Sequence, residues 1–183
     1  MNIPNTLTLL RIALIPLFVA LFWLPFEWTN LAAAGVFLLA AITDWLDGYL
    51  ARRLSQTSRL GAFLDPVADK LIVCVALVLL LQRDPTIMLA VPVLVIVGRE
   101  ITVSALREWM AELGARSQVS VSGLGKLKTI TQMVALVLMI ARDSVWGLPL
   151  YVLGFTALYA SAALTLWSMM VYLRAAWPAL TKE

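Results

Sequence analysis

Apolar runs of bilayer-spanning length follow one another along almost the whole chain, and they restrict its fold more than any other feature. A helix needs roughly 20 apolar residues to cross a bilayer. Segments at 6–24, 31–53, 60–82, 86–111, 125–142 and 147–173 reach or approach that length. Hydrophobic residues make up 62% of the 183 positions and charged residues 14%, against about a quarter charged in an ordinary soluble domain. Too little polar surface is left to cover a water-soluble core. A closed barrel would need short strands of alternating polarity, and these are absent. The expected fold is an all-α integral membrane protein with six transmembrane helices in a single domain over residues 1–183.

The first segment is not read as a secretory signal. It lacks a basic start, carries Arg11 inside its apolar run and is too long for a signal core. Cys74 is the single cysteine and cannot form an internal disulfide; it reads as a small packing residue. Six spans put both termini on one side. That side collects Arg52, Arg53, Arg59, Arg107, Arg116, Lys126, Lys128, Arg174 and Lys182, whereas the opposite connections hold Arg83 and Arg142, each followed by an aspartate. The positive-inside rule therefore predicts cytoplasmic termini. Trp23, Trp28, Trp109, Trp146 and Trp177 fall near span ends and suit interfacial belts.

Residues 44–70 break the apolar pattern. Asp44 and Asp47 are three apart and Asp65 and Asp69 four apart, so each pair shares a helix face. Residues 55–58 (SQTS) supply turn and N-cap chemistry between them. The second and third helices are therefore expected to be antiparallel neighbours, with all four carboxylates converging near the cytoplasmic interface. Four ionised carboxylates in a low-dielectric site require cations. Hard oxygen donors favour Mg²⁺ or Mn²⁺, and a quartet suits two ions. Gly48, Ala51 and Gly61 leave space beside the cluster for a bulky ligand such as a diphosphate. A buried ion-pair network and a proton or cation pathway are the competing readings.

The pattern Asp44-x2-Asp47-Gly48-x2-Ala51-Arg52-x8-Gly61-x3-Asp65-x3-Asp69 resembles the complete signature of the CDP-alcohol phosphotransferases, and the opening IPNTLTLLRI resembles that family's start. The resemblance implies a six-helix bundle of that family's type. It implies that two Mg²⁺ or Mn²⁺ ions are held by Asp44, Asp47, Asp65 and Asp69. An alcohol then attacks the lipid-side phosphorus of a CDP-linked lipid, CMP leaves, and Asp69 takes the hydroxyl proton. Carried over in the same way, Asn5, Thr8, Gly48, Arg52, Ser58 and Gly61 contact the CDP-lipid. Arg11 is suited either to the nucleotide phosphates or to pairing with an acid, and the sequence does not decide between them.

Two further stretches bear on the acceptor. Residues 97–109 carry Arg99, Glu100 and Arg107, and residues 123–132 carry Lys126 and Lys128. Arg99 and Glu100 fall inside an apolar segment, where solvation explains them poorly. Together Arg99, Arg107, Lys126 and Lys128 form a basic wall suited to an acceptor that carries its own phosphate. These stretches resemble the family branch whose acceptor is sn-glycerol 3-phosphate. The expected reaction gives phosphatidylglycerophosphate and CMP from CDP-diacylglycerol and glycerol 3-phosphate, at a cytoplasmic-side active site. Arg116 reads as a headgroup anchor. Residues 123–129 are not a nucleotide P-loop, lacking its spacing and a preceding strand, and no nucleic-acid partner is expected. Membrane lipids are expected partners, and a homodimer is compatible with the reading. Alternatives are the same chemistry on inositol phosphate or phosphatidylglycerol, an intramembrane prenyltransferase, or a cation transporter.

Overall fold

The computed structural model describes residues 3–54, 59–112, 123–142 and 148–180. They form six helices: α1 (Ile3–Trp23), α2 (Trp28–Leu54), α3 (Arg59–Arg83), α4 (Ile87–Glu112), α5 (Gly123–Ala141) and α6 (Leu150–Leu180). Local chemistry explains several of the ends. Thr86 caps α4, its Oγ1 accepting the Leu89 amide at 3.2 Å. After α5, Arg142 takes a left-handed φ of 57° and its amide reaches the Leu138 carbonyl at 3.2 Å, a common way to close a helix.

The expected segments differ from these helices mainly in α6. It begins after Pro149 rather than at residue 147 and runs on to Leu180 rather than stopping at 173. Apolar length estimates how much chain crosses the bilayer. A helix has no reason to end there, and this one carries Arg174 and Trp177 onward.

The helices pack in the cyclic order α1, α2, α5, α6, α4, α3 and back to α1, with α3 also touching α5 across the bundle. The second and third helices, expected to be antiparallel neighbours, are joined largely through α1. Among the described residues they touch sparsely, and α1 packs extensively against both. A short connection makes two helices antiparallel, but it does not oblige their faces to meet when a third helix fills the angle between them.

One large core runs through the bundle, centred on Phe18, Phe37, Leu77, Leu136, Met139 and Leu158. A smaller cluster of Val103, Met110, Tyr172 and Ala176 joins α4 to α6 nearer the polar end. The α5 and α6 backbones approach closely at Gly154. A Cβ there would lie 2.7 Å from Met139 Cγ and 2.8 Å from the Ala135 carbonyl oxygen.

The outside is as apolar as the inside. Leu10, Leu17, Ile42, Val78, Leu94, Ile101, Ile130, Val152 and Leu166 are all exposed, a distribution that only lipid solvates cheaply. Three helices are long and apolar enough by themselves to cross a membrane, over Thr6–Trp23, Ile87–Glu112 and Leu150–Trp177, with shorter apolar stretches at Trp28–Asp44 and Leu127–Ala141. The remaining helix lengths carry the charged residues of the site, which shortens their apolar windows. The chain is an all-α integral membrane protein.

At the end remote from those charges, the basic side chains are spent on internal contacts. Arg83 donates to Asn30 Oδ1 at 2.9 Å and to the Phe22 carbonyl at 3.0 Å, and its guanidinium lies 3.9 Å from the Phe22 ring centroid. Arg142 lies 3.7 Å from Asp84.

Candidate active site

The N-terminal halves of α1, α3 and α5 and the C-terminal halves of α2, α4 and α6 meet at one end of the bundle. A cavity of 430 Å³ opens there. Its lining divides by charge. Asp44 of α2 and Asp65 and Asp69 of α3 form one wall; Arg99 and Arg107 of α4 and Lys128 of α5 form the other. Lys70, Glu100, Thr129, Gln132 and Tyr172 complete the polar lining. Three of the four expected acids and three of the four expected basic residues thus line one space.

The acidic wall is organised from α1. Arg11 is 1% exposed, and its Nη1 lies 2.9 Å from Asp44 Oδ1 while also bonding Asp69 Oδ1. Of the two roles open to Arg11 in the sequence, pairing with acids is the one seen in this structure. Thr8, one turn earlier and fully buried, donates from Oγ1 to Asp65 Oδ1 at 2.5 Å. A buried guanidinium needs compensation, and two carboxylates on different helices provide it. In return it fixes their separation.

The basic wall has its own order. Arg99 donates from Nη1 to Glu100 Oε1 at 3.1 Å and from Nη2 to Ser168 Oγ at 2.9 Å. Its guanidinium lies 5.8 Å from the Tyr172 ring centroid. Lys128 donates from Nζ to the same Glu100 Oε1. Lys70, on the acidic helix, donates to Ser104 Oγ and so ties α3 to α4. Gln132 lies one turn beyond Lys128 on the same face and is 5% exposed.

Not every predicted site residue falls within this description. Gly61 is buried one turn before Asp65, and Arg107 is exposed at the cavity rim. Asn5, Asp47, Gly48, Arg52 and Lys126 lie on α1, α2 and α5, but their side chains are outside the described residues, as are Ser58 and Arg116 altogether. Thr8, expected to contact the CDP-lipid, here bonds Asp65.

The expected convergence of four carboxylates includes Asp47, whose side chain lies outside the described residues. Among the described residues no three acidic side chains gather closely enough to hold an ion. Arg11 collects Asp44 and Asp69 while Thr8 takes Asp65. The donor chemistry still fits a hard divalent cation. Three carboxylates line one cavity, and the side chains of Asp44 and Asp69 are 38% and 41% exposed toward it.

Sequence reasoning gave no role to Gln132, Ser168 or Tyr172. The available signal was helical spacing: Gln132 follows Lys128 by four, and Ser168 and Tyr172 are four apart on one face of α6.

The family model for CDP-alcohol phosphatidyltransferase matches residues 1–167. The chain belongs to that family. Among its relatives is a protein of Pseudomonas fluorescens named CDP-diacylglycerol–glycerol-3-phosphate 3-phosphatidyltransferase, 56% identical over 187 aligned positions that cover 100% of this chain and 94% of the relative. A protein of the same name from Sodalis glossinidius is 53% identical, covering 96% of this chain and 95% of the relative. One from Salmonella paratyphi A is 51% identical over 96% and 94%. The matched stretch takes in Asp44, Asp65, Asp69, Arg99, Arg107 and Lys128 of the cavity lining.

Proposed function

We propose that this chain transfers the phosphatidyl group of CDP-diacylglycerol to sn-glycerol 3-phosphate, releasing CMP and phosphatidylglycerophosphate. The observation that carries the reading is the division of one cavity into an acidic wall and a basic wall. The acidic wall suits a cation-bridged diphosphate. The basic wall suits an acceptor bearing a phosphate of its own, which choline, ethanolamine or serine would not need. Relatives over 50% identical along nearly the whole chain bear the name of this reaction.

In this reading Asp44, Asp47, Asp65 and Asp69 hold two Mg²⁺ or Mn²⁺ ions. When bound, such ions neutralise the diphosphate and polarise its phosphoryl oxygens. Arg52, Gly48, Gly61, Ser58 and the Asn5–Thr8 stretch receive the cytidine diphosphate part, with Arg52 offering bidentate contact to phosphate. Arg99, Arg107, Lys126 and Lys128 hold the acceptor phosphate, which leaves the far hydroxyl of glycerol 3-phosphate directed at the acidic wall. That hydroxyl oxygen forms a bond to the lipid-side phosphorus, its proton passes to the Asp69 carboxylate, and the bond from phosphorus to the CMP oxygen breaks. Arg11 orients Asp69 for this step through its hydrogen bond.

The site and both termini are placed on the cytoplasmic side. The support is the asymmetry of basic residues: Arg52, Arg53, Arg59, Arg107, Lys126 and Lys128 lie toward the cavity end, while Arg83 and Arg142 at the other end are already engaged.

The test is CMP release by purified protein given CDP-diacylglycerol and a panel of acceptors, with EDTA and with Mg²⁺ or Mn²⁺ restored. Release is expected with glycerol 3-phosphate and divalent metal, and not with EDTA. Full turnover in EDTA overturns the metal assignment, and preference for another alcohol overturns the acceptor.

A further inference from the structure

Among the described residues lining the cavity, Glu100 is the acid that sits on the basic wall. Its Oε1 accepts hydrogen bonds from both Lys128 Nζ and Arg99 Nη1. The three side chains are poorly solvated, with exposures of 4%, 11% and 18% for Lys128, Arg99 and Glu100. Two cations held this close and this dry repel one another strongly, and Glu100 offsets that repulsion. Arg99 has further anchors in Ser168 and Tyr172. Lys128 reaches Glu100 from the facing helix, so the carboxylate sets its direction.

The reaction leaves the acceptor's phosphate monoester chemically unchanged. Whatever grip Lys128 and Arg99 exert on that phosphate in the acceptor therefore persists on the product. A dry pair of cations without a counter-anion would bind acceptor tightly and keep the product for the same reason.

We propose that Glu100 is an internal counter-anion that competes with the acceptor's phosphate for Lys128 and Arg99, holding both cations in place before binding and reclaiming them as the phosphate-bearing product leaves. The inference rests on the acceptor reading above and deepens it. Glu100 is a positioning residue that tunes affinity for a phosphate monoester; it does not touch the reacting atoms.

The test is Glu100→Gln, which keeps side-chain shape and one hydrogen-bond acceptor but removes the charge. Its KM for glycerol 3-phosphate should fall about three- to tenfold, the effect of one like charge beside a half-buried anion. Inorganic phosphate should inhibit at concentrations lower by a similar factor. Glu100→Asp withdraws the carboxylate from both cations and should shift both quantities in the same direction by less. A purely structural Glu100 would instead raise KM for the acceptor in either variant, and an unchanged or raised KM overturns the proposal. Should the Gln variant fail to fold, the Asp variant decides by the same criterion. If wild-type protein releases no CMP with glycerol 3-phosphate, the acceptor reading itself fails; if wild type turns over and the variants do not tighten, only the role of Glu100 fails.

Discussion

Arg11 of α1 and Asp44 of α2 meet at 2.9 Å, with the guanidinium almost wholly buried and the carboxylate still open to the cavity. The same nitrogen bonds Asp69 of α3, so one side chain joins three helices at the point where the acidic wall begins. A buried cation between two acids is costly to unbalance, because removing it leaves the carboxylates repelling each other.

Arg11→Gln should therefore destabilise the protein as well as slow it. Breaking a buried pair costs about 3–5 kcal/mol, and the half-exposed carboxylates reduce this to roughly 2–4 kcal/mol here. Thermal unfolding in detergent measures the loss. A melting temperature equal to wild type would mean that α1 is held by its apolar contacts alone.

Asp69 and Asp44 share Arg11 but differ in proposed chemistry. Asp69→Asn can still accept from Arg11 while losing the basic oxygen, so turnover should fall by about 10²–10⁴ while CDP-lipid binding survives in part. Asp44→Asn should weaken binding and turnover together. Parallel binding isotherms and CMP-release rates distinguish the two. Equal loss of binding in both variants would remove Asp69 from the role of base.

Much of this site is legible in the sequence, and what is not follows a physical pattern. Helical spacing puts Asp65 and Asp69 on one face and isolates Arg99 and Glu100 as charges in an apolar run. Spacing does not say which helix a face meets. The placement of α1 against both α2 and α3, and with it the pairing of Arg11 with Asp44 and Asp69, depends on packing among three apolar helices whose surfaces are alike in sequence. Glu100 stood out by its setting, but its two partners come from a sequence neighbour and from a residue 28 positions away. The second of these is invisible until α4 and α5 are seen to line one cavity.

Gly154 offers a test of packing away from the chemistry. A Cβ at this position would sit 2.7 Å from Met139 Cγ and 2.9 Å from the Met139 amide nitrogen. The side chain can move, but the backbone of α5 cannot without separating the helices. Gly154→Ala should cost about 1–3 kcal/mol, as overpacking commonly does. The melting temperature should fall while KM values for both substrates stay near wild type in the folded fraction. A KM change for glycerol 3-phosphate would mean that the α5–α6 contact also sets the position of Lys128.

Lys128 carries the sharpest test of acceptor choice. It is 3% exposed, lines the cavity, and is held by Glu100 of α4. An amine buried this far in a membrane helix is expensive unless it serves a ligand or a partner. Glu100 alone could satisfy it as a structural pair, so the experiment must separate the two roles. Lys128→Gln removes the charge but keeps length and hydrogen-bonding capacity. If Lys128 holds the acceptor phosphate, losing that charge-assisted contact should cost roughly 1.5–3 kcal/mol, about ten- to a hundredfold in kcat/KM for glycerol 3-phosphate. The KM for CDP-diacylglycerol should change far less, since the donor is assigned to the opposite wall. A structural pair predicts a lower melting temperature with both KM values unaltered. Arg116→Gln, a change at the expected headgroup anchor, serves as the control and should be near neutral. A two-substrate kinetic matrix on these variants in one detergent reads all of these quantities. If Arg116→Gln raises the acceptor KM more than Lys128→Gln does, the phosphate is held outside this cavity and the basic wall has another use.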